Sequence, residues 1–185
     1  MVKINPVTVA ALRRGEDRAY AAVVDALHGP VYRFLLRLTR DSSTAEDLTQ
    51  ETFVAIWQGI GSFRGRSEFT TWVFGIAYRQ HRRWRDKRSV ATVPLDDDRD
   101  EAQQPGPSTA VEEADEQRRI RRAVYSLPDP YRESVCLVYL EGLSYREAAQ
   151  VLEVPVGTVK SRMHGAFSIL RNKLQGCEVD DDEMR

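Results

Sequence analysis

The 185 residues suffice for two small domains, and 42% hydrophobic with 30% charged residues supports folded cores rather than wholesale disorder. No run approaches the ~18 apolar residues of a membrane span, the first residues show no secretory signal pattern, and Cys136 and Cys177 are isolated, without zinc-site spacing. A cytoplasmic, reduced protein is expected. The net charge of −1 hides a division: residues 79–88 hold six basic residues against one Asp, and residues 89–116 hold nine acidic residues against one Arg.

Residues 19–40 carry Val23, Val24, Leu27, Val31, Phe34, Leu35 and Leu38 on one side of a helix, with Gly29-Pro30 as the place for a kink. Ser43-Thr44-Ala45-Glu46 fits a capping box, in which hydroxyl and carboxylate satisfy each other's free amides. The helix it opens turns Leu48, Thr52, Phe53 and Ile56 inward and stops near Gly59. Ser67 is placed to cap a further helix over residues 68–88. Residues 95–108 then read as a linker, because Asp96-Asp97-Asp98, Asp100-Glu101 and Pro105-Gly106-Pro107 leave little to bury.

Residues 112–126 begin acidic and end basic, as a helix dipole favours. Asp129-Pro130 suits an N-cap followed by proline at the first helical position, and Gly142 suits the residue past the end. Between them Val135, Leu137, Val138 and Leu140 form an apolar stripe, with Cys136 as a small core residue. Ser144-Tyr145-Arg146-Glu147 is a second capping box, and Ala148, Ala149, Val151 and Leu152 face inward after it. Glu153-Val154-Pro155 breaks that helix, and Gly157-Thr158 starts the next, with Val159, Met163, Ala166 and Leu170 buried. No segment shows strand alternation. The expected fold is all-α: a helical domain over residues 1–90, an acidic linker over 91–111, a helix-turn-helix domain over 112–176, and an acidic tail over 177–185.

Three patterns bear on function. The last helix exposes Thr158, Lys160, Ser161, Arg162 and His164 after a short helix and a tight turn, which suits a major-groove reader; a solvated helical hairpin is the plain alternative. Asp47, Gln50 and Glu51 lie within one turn of each other and offer a polar face to a basic partner helix. Six aromatics fall between Phe63 and Trp84, interleaved with the basic run from Arg79, the composition of a platform for single-stranded bases. Trp72, Val73 and Ile76 equally suit a core. Gly59, Gly61 and Gly65 lack dinucleotide-loop spacing. His28, His81 and His164 are scattered, so no catalytic group, metal or cofactor is expected.

Leu143-Ser144-Tyr145-Arg146-Glu147-Ala148-Ala149, followed by Val154-Pro155-Val156-Gly157-Thr158-Val159-Lys160-Ser161-Arg162, resembles the upstream-element-binding domain of extracytoplasmic-function (ECF) sigma factors. Leu127-Pro128 and Tyr131-Arg132 fit the same pattern. Residues 45–53 with Trp57, and residues 62–72 with Ile76-Ala77, resemble the family's polymerase-docking helix and strand-capturing segment. The resemblance spans roughly residues 18–174. It implies a dissociable, non-enzymatic specificity subunit that recognises and melts promoters on RNA polymerase core. Docking would fall to Asp47, Leu48, Gln50, Glu51 and Phe53. Contact with the melted promoter would fall to Phe63, Arg64, Phe69, Trp72, Tyr78, Arg79, Arg82 and Arg83. The upstream element would be read by Thr158, Lys160, Ser161, Arg162 and His164. The linker would thread through polymerase, and an anti-sigma factor would hold the protein inactive. The sequence departs from the family at Arg79, often Asn, and at Gly165 and Phe167, often Arg. Arg79 offers donors only, so it either selects an acceptor-rich base edge or grips phosphate. A helix-turn-helix repressor or activator acting without polymerase is the alternative, and it leaves the N-terminal patterns unexplained.

Overall fold

A computed structural model describes residues 2–91 and 111–175. The expected acidic tail, and the linker apart from its flanking residues 91 and 111, lie outside the described residues. Eight α-helices are described: α1 (Pro6–Arg13), α2 (Asp17–Thr39), α3 (Ser42–Gly59), α4 (Phe69–Ala91), α5 (Val111–Tyr125), α6 (Asp129–Val135), α7 (Tyr145–Leu152) and α8 (Val156–Gln175). There are no strands among the described residues. An all-α chain in two bundles results.

In the N-terminal bundle α2, α3 and α4 pack against one another, and α1 closes the end of α2. The α2 stripe is buried at Val23, Leu27, Val31, Phe34, Leu35 and Leu38, while Val24 is only half-buried. Phe34 meets Phe74 of α4 edge-on at 5.3 Å. Pro30 sits inside α2 without ending it. The start of α3 differs from the sequence expectation. Asp41, rather than Ser43, is the N-cap, and its carboxylate accepts from the Thr44 amide at 2.7 Å. Either residue type can fill that role; the αL turn at Arg40 places Asp41 first.

In the C-terminal bundle α8 packs across α5, α6 and α7. Pro128 is the N-cap of α6, which puts Asp129 inside the first turn, one position later than its sequence pattern suggested. Arg132, buried on α6, donates to the carbonyls of Leu127 (2.7 Å) and Tyr125 (3.3 Å) and pairs with Asp129 at 2.5 Å. It thereby satisfies the carbonyls at the end of α5 that have no helical partner. After α6 the chain widens into a π-helical turn, Cys136–Leu140, closed by the Glu141 amide on the Cys136 carbonyl and by Gly142 at φ 72°. The widening carries Leu140 out of the expected apolar stripe to 42% exposure. Burial pushes the Cys136 thiol up to about 12, so it stays protonated as a core residue.

The two bundles touch along α4 and α7, with α2 against α6 and the π turn. Polar contacts dominate the described side-chain bonds of this seam. The Glu133 carboxylate, 4% exposed on α6, accepts from the Tyr78 hydroxyl at 3.0 Å and from Arg85 at 3.4 Å. Arg37 pairs with buried Glu141 at 3.0 Å. Thr71 donates to Glu147 at 3.2 Å, and Arg82 pairs with Glu153 at 2.9 Å.

Two substitutions test this packing. A Cβ added at Gly165 on α8 would fall 2.8 Å from Cε1 of Tyr131, whereas one at Gly157 meets open space. Overpacking costs about 1–3 kcal/mol and outweighs the helix-propensity gain of about 1 kcal/mol. Gly165→Ala should therefore lower stability by about 1 kcal/mol in denaturant unfolding, and Gly157→Ala should not. His81 is 3% exposed between Tyr78 and Trp84, its Nδ1 has no hydrogen-bond partner among the described residues, and burial lowers its pKa from 6.5 to about 4. The unfolded chain then binds a proton that the folded chain refuses, so stability falls as pH drops from 6.5 toward 4, by up to about 3 kcal/mol. His81→Phe should flatten that part of the stability curve; an unchanged slope would place the acid sensitivity elsewhere.

Candidate polymerase and promoter interfaces

On α3 the helical period splits the residues expected to dock. Asp47, Gln50 and Glu51 are exposed, and they line a shallow groove of about 570 Å³ with Val54, Ala55, Gln58 and, from α4, Gln80. Leu48 and Phe53 fall on the opposite side, 4% and 5% exposed, because they share the inward face with Thr49, Thr52 and Ile56. They hold α3 in place and have no surface to offer a partner. Val54, Gln58 and Gln80 were not singled out from the sequence. An exposed valine four residues after Gln50 is the one readable sign of the groove, since Gln80 enters it only through tertiary packing.

The aromatic segment is also built differently from an open platform. Phe63 and Phe69 are 9% and 5% exposed and form a cluster with half-buried Trp72, ring centroids 5.3–5.6 Å apart. Apolar rings beside a bundle's own core pack there rather than in water. Tyr78 is buried by the C-terminal bundle, with its hydroxyl on Glu133. Desolvation by burial, then the Glu133 charge, push that hydroxyl's pKa up, so it remains a donor. Solvent instead meets Arg64, Arg79 and Arg83, with Arg82 half-exposed and paired to Glu153. The Arg79 guanidinium lies back along α4, 3.6 Å from where a Gly75 side chain would begin. Arg88 stacks over Trp84 at 5.1 Å. The surface is thus lined by guanidiniums, one of them resting on an aromatic ring.

At the start of α7, beside the seam, the capping box forms as its sequence suggests. The Glu147 amide donates to the Ser144 hydroxyl at 3.3 Å, and Glu147 accepts from the Ser144 amide at 2.8 Å. Glu153 at φ 57° turns the chain sharply, and α8 begins at Val156. Val159, Met163 and Ala166 are buried against α6 and α7, while Leu170 is half-buried. That burial turns Lys160, Ser161 and His164 to solvent and leaves Thr158 and Arg162 half-exposed. Phe167 is 41% exposed, edge-on to exposed Tyr139 at 5.7 Å. Gly165 is occupied by the approach of Tyr131, so this end of α8 serves packing. Among the described residues no His, Cys, Asp and Glu cluster could hold a metal ion, and no helix is long and apolar enough to cross a membrane.

Comparison with known proteins agrees with these two bundles. The Sigma-70 region 2 family matches residues 23–90, and the Sigma-70 region 4 family matches residues 117–169. The RNA polymerase sigma-H factor of Pseudomonas aeruginosa is 30% identical, covering 90% of this chain and 92% of its own. The ECF RNA polymerase sigma-E factor of Escherichia coli K12 is 31% identical, covering 92% and 94%. Among solved structures, the sigma factor RpoE in complex with the anti-sigma factor NepR from Bartonella quintana aligns with a TM-score of 0.66 at 25% identity, covering 84% of this chain and 96% of that one. The chain belongs to the extracytoplasmic-function family of RNA polymerase sigma factors, the dissociable subunits that give the enzyme its promoter specificity and open the promoter for initiation.

Proposed function

We propose a division of labour in which three separate surfaces carry the sigma activity. The α3 groove, through Asp47, Gln50 and Glu51 with Gln80, docks on the polymerase core, where a basic partner helix meets its acid and amide groups. The exposed guanidiniums of Arg64, Arg79 and Arg83, joined by Arg82, hold the melted promoter strand, and Trp72 is the aromatic nearest the surface for an unstacked base. The outer face of α8, through Thr158, Lys160, Ser161, Arg162 and His164, reads the upstream element in the major groove.

The observation that carries this reading is the sorting of α8. Its buried Val159, Met163 and Ala166 leave Lys160, Ser161 and His164 facing outward behind a formed capping box and a sharp αL turn. Opening the promoter requires no bond to be made or broken by the protein: trapping an unstacked base on one strand shifts the melting equilibrium. The protein therefore acts without catalysis, in the cytoplasm with polymerase. An anti-sigma factor is a fitting regulator, given the complex formed by the Bartonella quintana relative.

In transcription with purified core polymerase, Asp47→Ala with Gln50→Ala should weaken core binding while far-ultraviolet circular dichroism stays unchanged; wild-type affinity would remove the groove from the docking surface. Arg162→Ala should cost about 1–3 kcal/mol of promoter affinity and relax preference at one upstream base pair. Uniform weakening on every template would make Arg162 a phosphate contact instead.

A further inference from the structure

The second half of α5 carries Arg118, Arg119, Arg121 and Arg122, all exposed. Spacings of three and four residues make these guanidiniums neighbours over about 6 Å of helix, so they repel one another. No acid stands three or four residues from Arg121 or Arg122 on either side. Among the described residues, Arg118, Arg121 and Arg122 form no ion pair. Arg119 instead donates to the Leu174 carbonyl, which fixes the end of α8 beside the patch. The chain leaves α8 after Gln175, and residues 177–185, outside the described residues, hold five acidic residues against the single Arg185.

We propose that the arginine patch of α5 is the docking surface of this chain's own acidic C-terminal segment, residues 177–185. The attachment point favours this occupant, because the segment starts three residues past Leu174, whose carbonyl already touches the patch. Asp180 to Glu183 follow six to nine residues past Leu174, within about 30 Å of fully extended chain, so every one of them can reach the patch. Charge favours it as well: the segment's five carboxylates face four guanidiniums, and each contact between them is a charge-assisted hydrogen bond. A tether this short holds the acids at an effective concentration on the order of millimolar, so pairs too weak to join separate molecules persist within one. The consequence falls on nucleic acid. Clustered arginines attract phosphates of any sequence. Docked acids cover them, and the C-terminal bundle loses sequence-independent affinity. The proposal stands apart from the roles assigned to α3, α4 and α8.

A cycle of full-length variants tests it. One variant neutralises the segment with Glu178→Gln, Asp180→Asn, Asp181→Asn, Asp182→Asn and Glu183→Gln. The second removes the patch with Arg118→Gln, Arg121→Gln and Arg122→Gln, keeping Arg119 because it holds α8. The third combines both sets. Fluorescence anisotropy reads affinity for a labelled duplex of random sequence over a salt series, and nuclear magnetic resonance follows the α5 amides. Neutralising the segment should tighten duplex binding about tenfold at low salt, the gain expected when the patch is uncovered in about a tenth of wild-type molecules. It should also shift the α5 resonances. With the patch removed, neutralisation should do neither. Tightening of equal size in both backgrounds reduces the effect to bulk charge and overturns the docking. Unmoved α5 resonances, or no tightening, overturn it too.

Discussion

The buried Glu133 carboxylate is the constraint on which the packing of the two bundles depends. A charge this deep is tolerated only when its oxygens are paired, and the partners here, Tyr78 and Arg85, both come from the other bundle. Burial pushes the Glu133 carboxyl above the usual carboxylate range, and the Tyr78 hydroxyl and Arg85 draw it back only partly. The next residue back, Arg132, is equally deep and turns the opposite way, onto the end of α5. Two adjacent ionic side chains therefore fix α6 on both sides. One completes the C-terminal bundle, and the other joins it to its neighbour.

Much of this was legible in the sequence because it depends on local rules. The α2 stripe, the Ser144–Glu147 capping box, the break at Glu153 and the inward Val159, Met163 and Ala166 follow from helical period and cap chemistry. Local rules misplaced residues where two neighbours could fill one role, as with Asp41 ahead of Ser43. The π turn was hidden for a different reason: an apolar run such as Cys136–Leu140 gives the same composition whether its hydrogen bonds close at four or five residues.

The functional surfaces were legible in part. Motif order placed the expected docking residues on α3, but motif membership alone did not separate Asp47, Gln50 and Glu51 from Leu48 and Phe53, which the helical period turns inward. The aromatics on and just before α4, combined with a basic run, suggested stacking, yet Phe63 and Phe69 pack on one another and Tyr78 meets a carboxylate 55 residues away. Long-range pairing of that kind leaves little local trace. The one trace is Glu133 itself, four residues from Leu137 on a buried face, where an acid has no local reason to be.

Glu153 joins two tasks that pull against each other. Its backbone adopts the left-handed turn between α7 and α8, where glycine is the usual occupant and a side chain costs about 1 kcal/mol, while its carboxylate reaches across to Arg82. Glutamate and glycine codons differ by a single base. One mutational step would therefore relax the turn that aims α8 and, in the same stroke, remove a tie between the bundles. The aim of α8 and the packing of the two bundles are genetically one substitution apart.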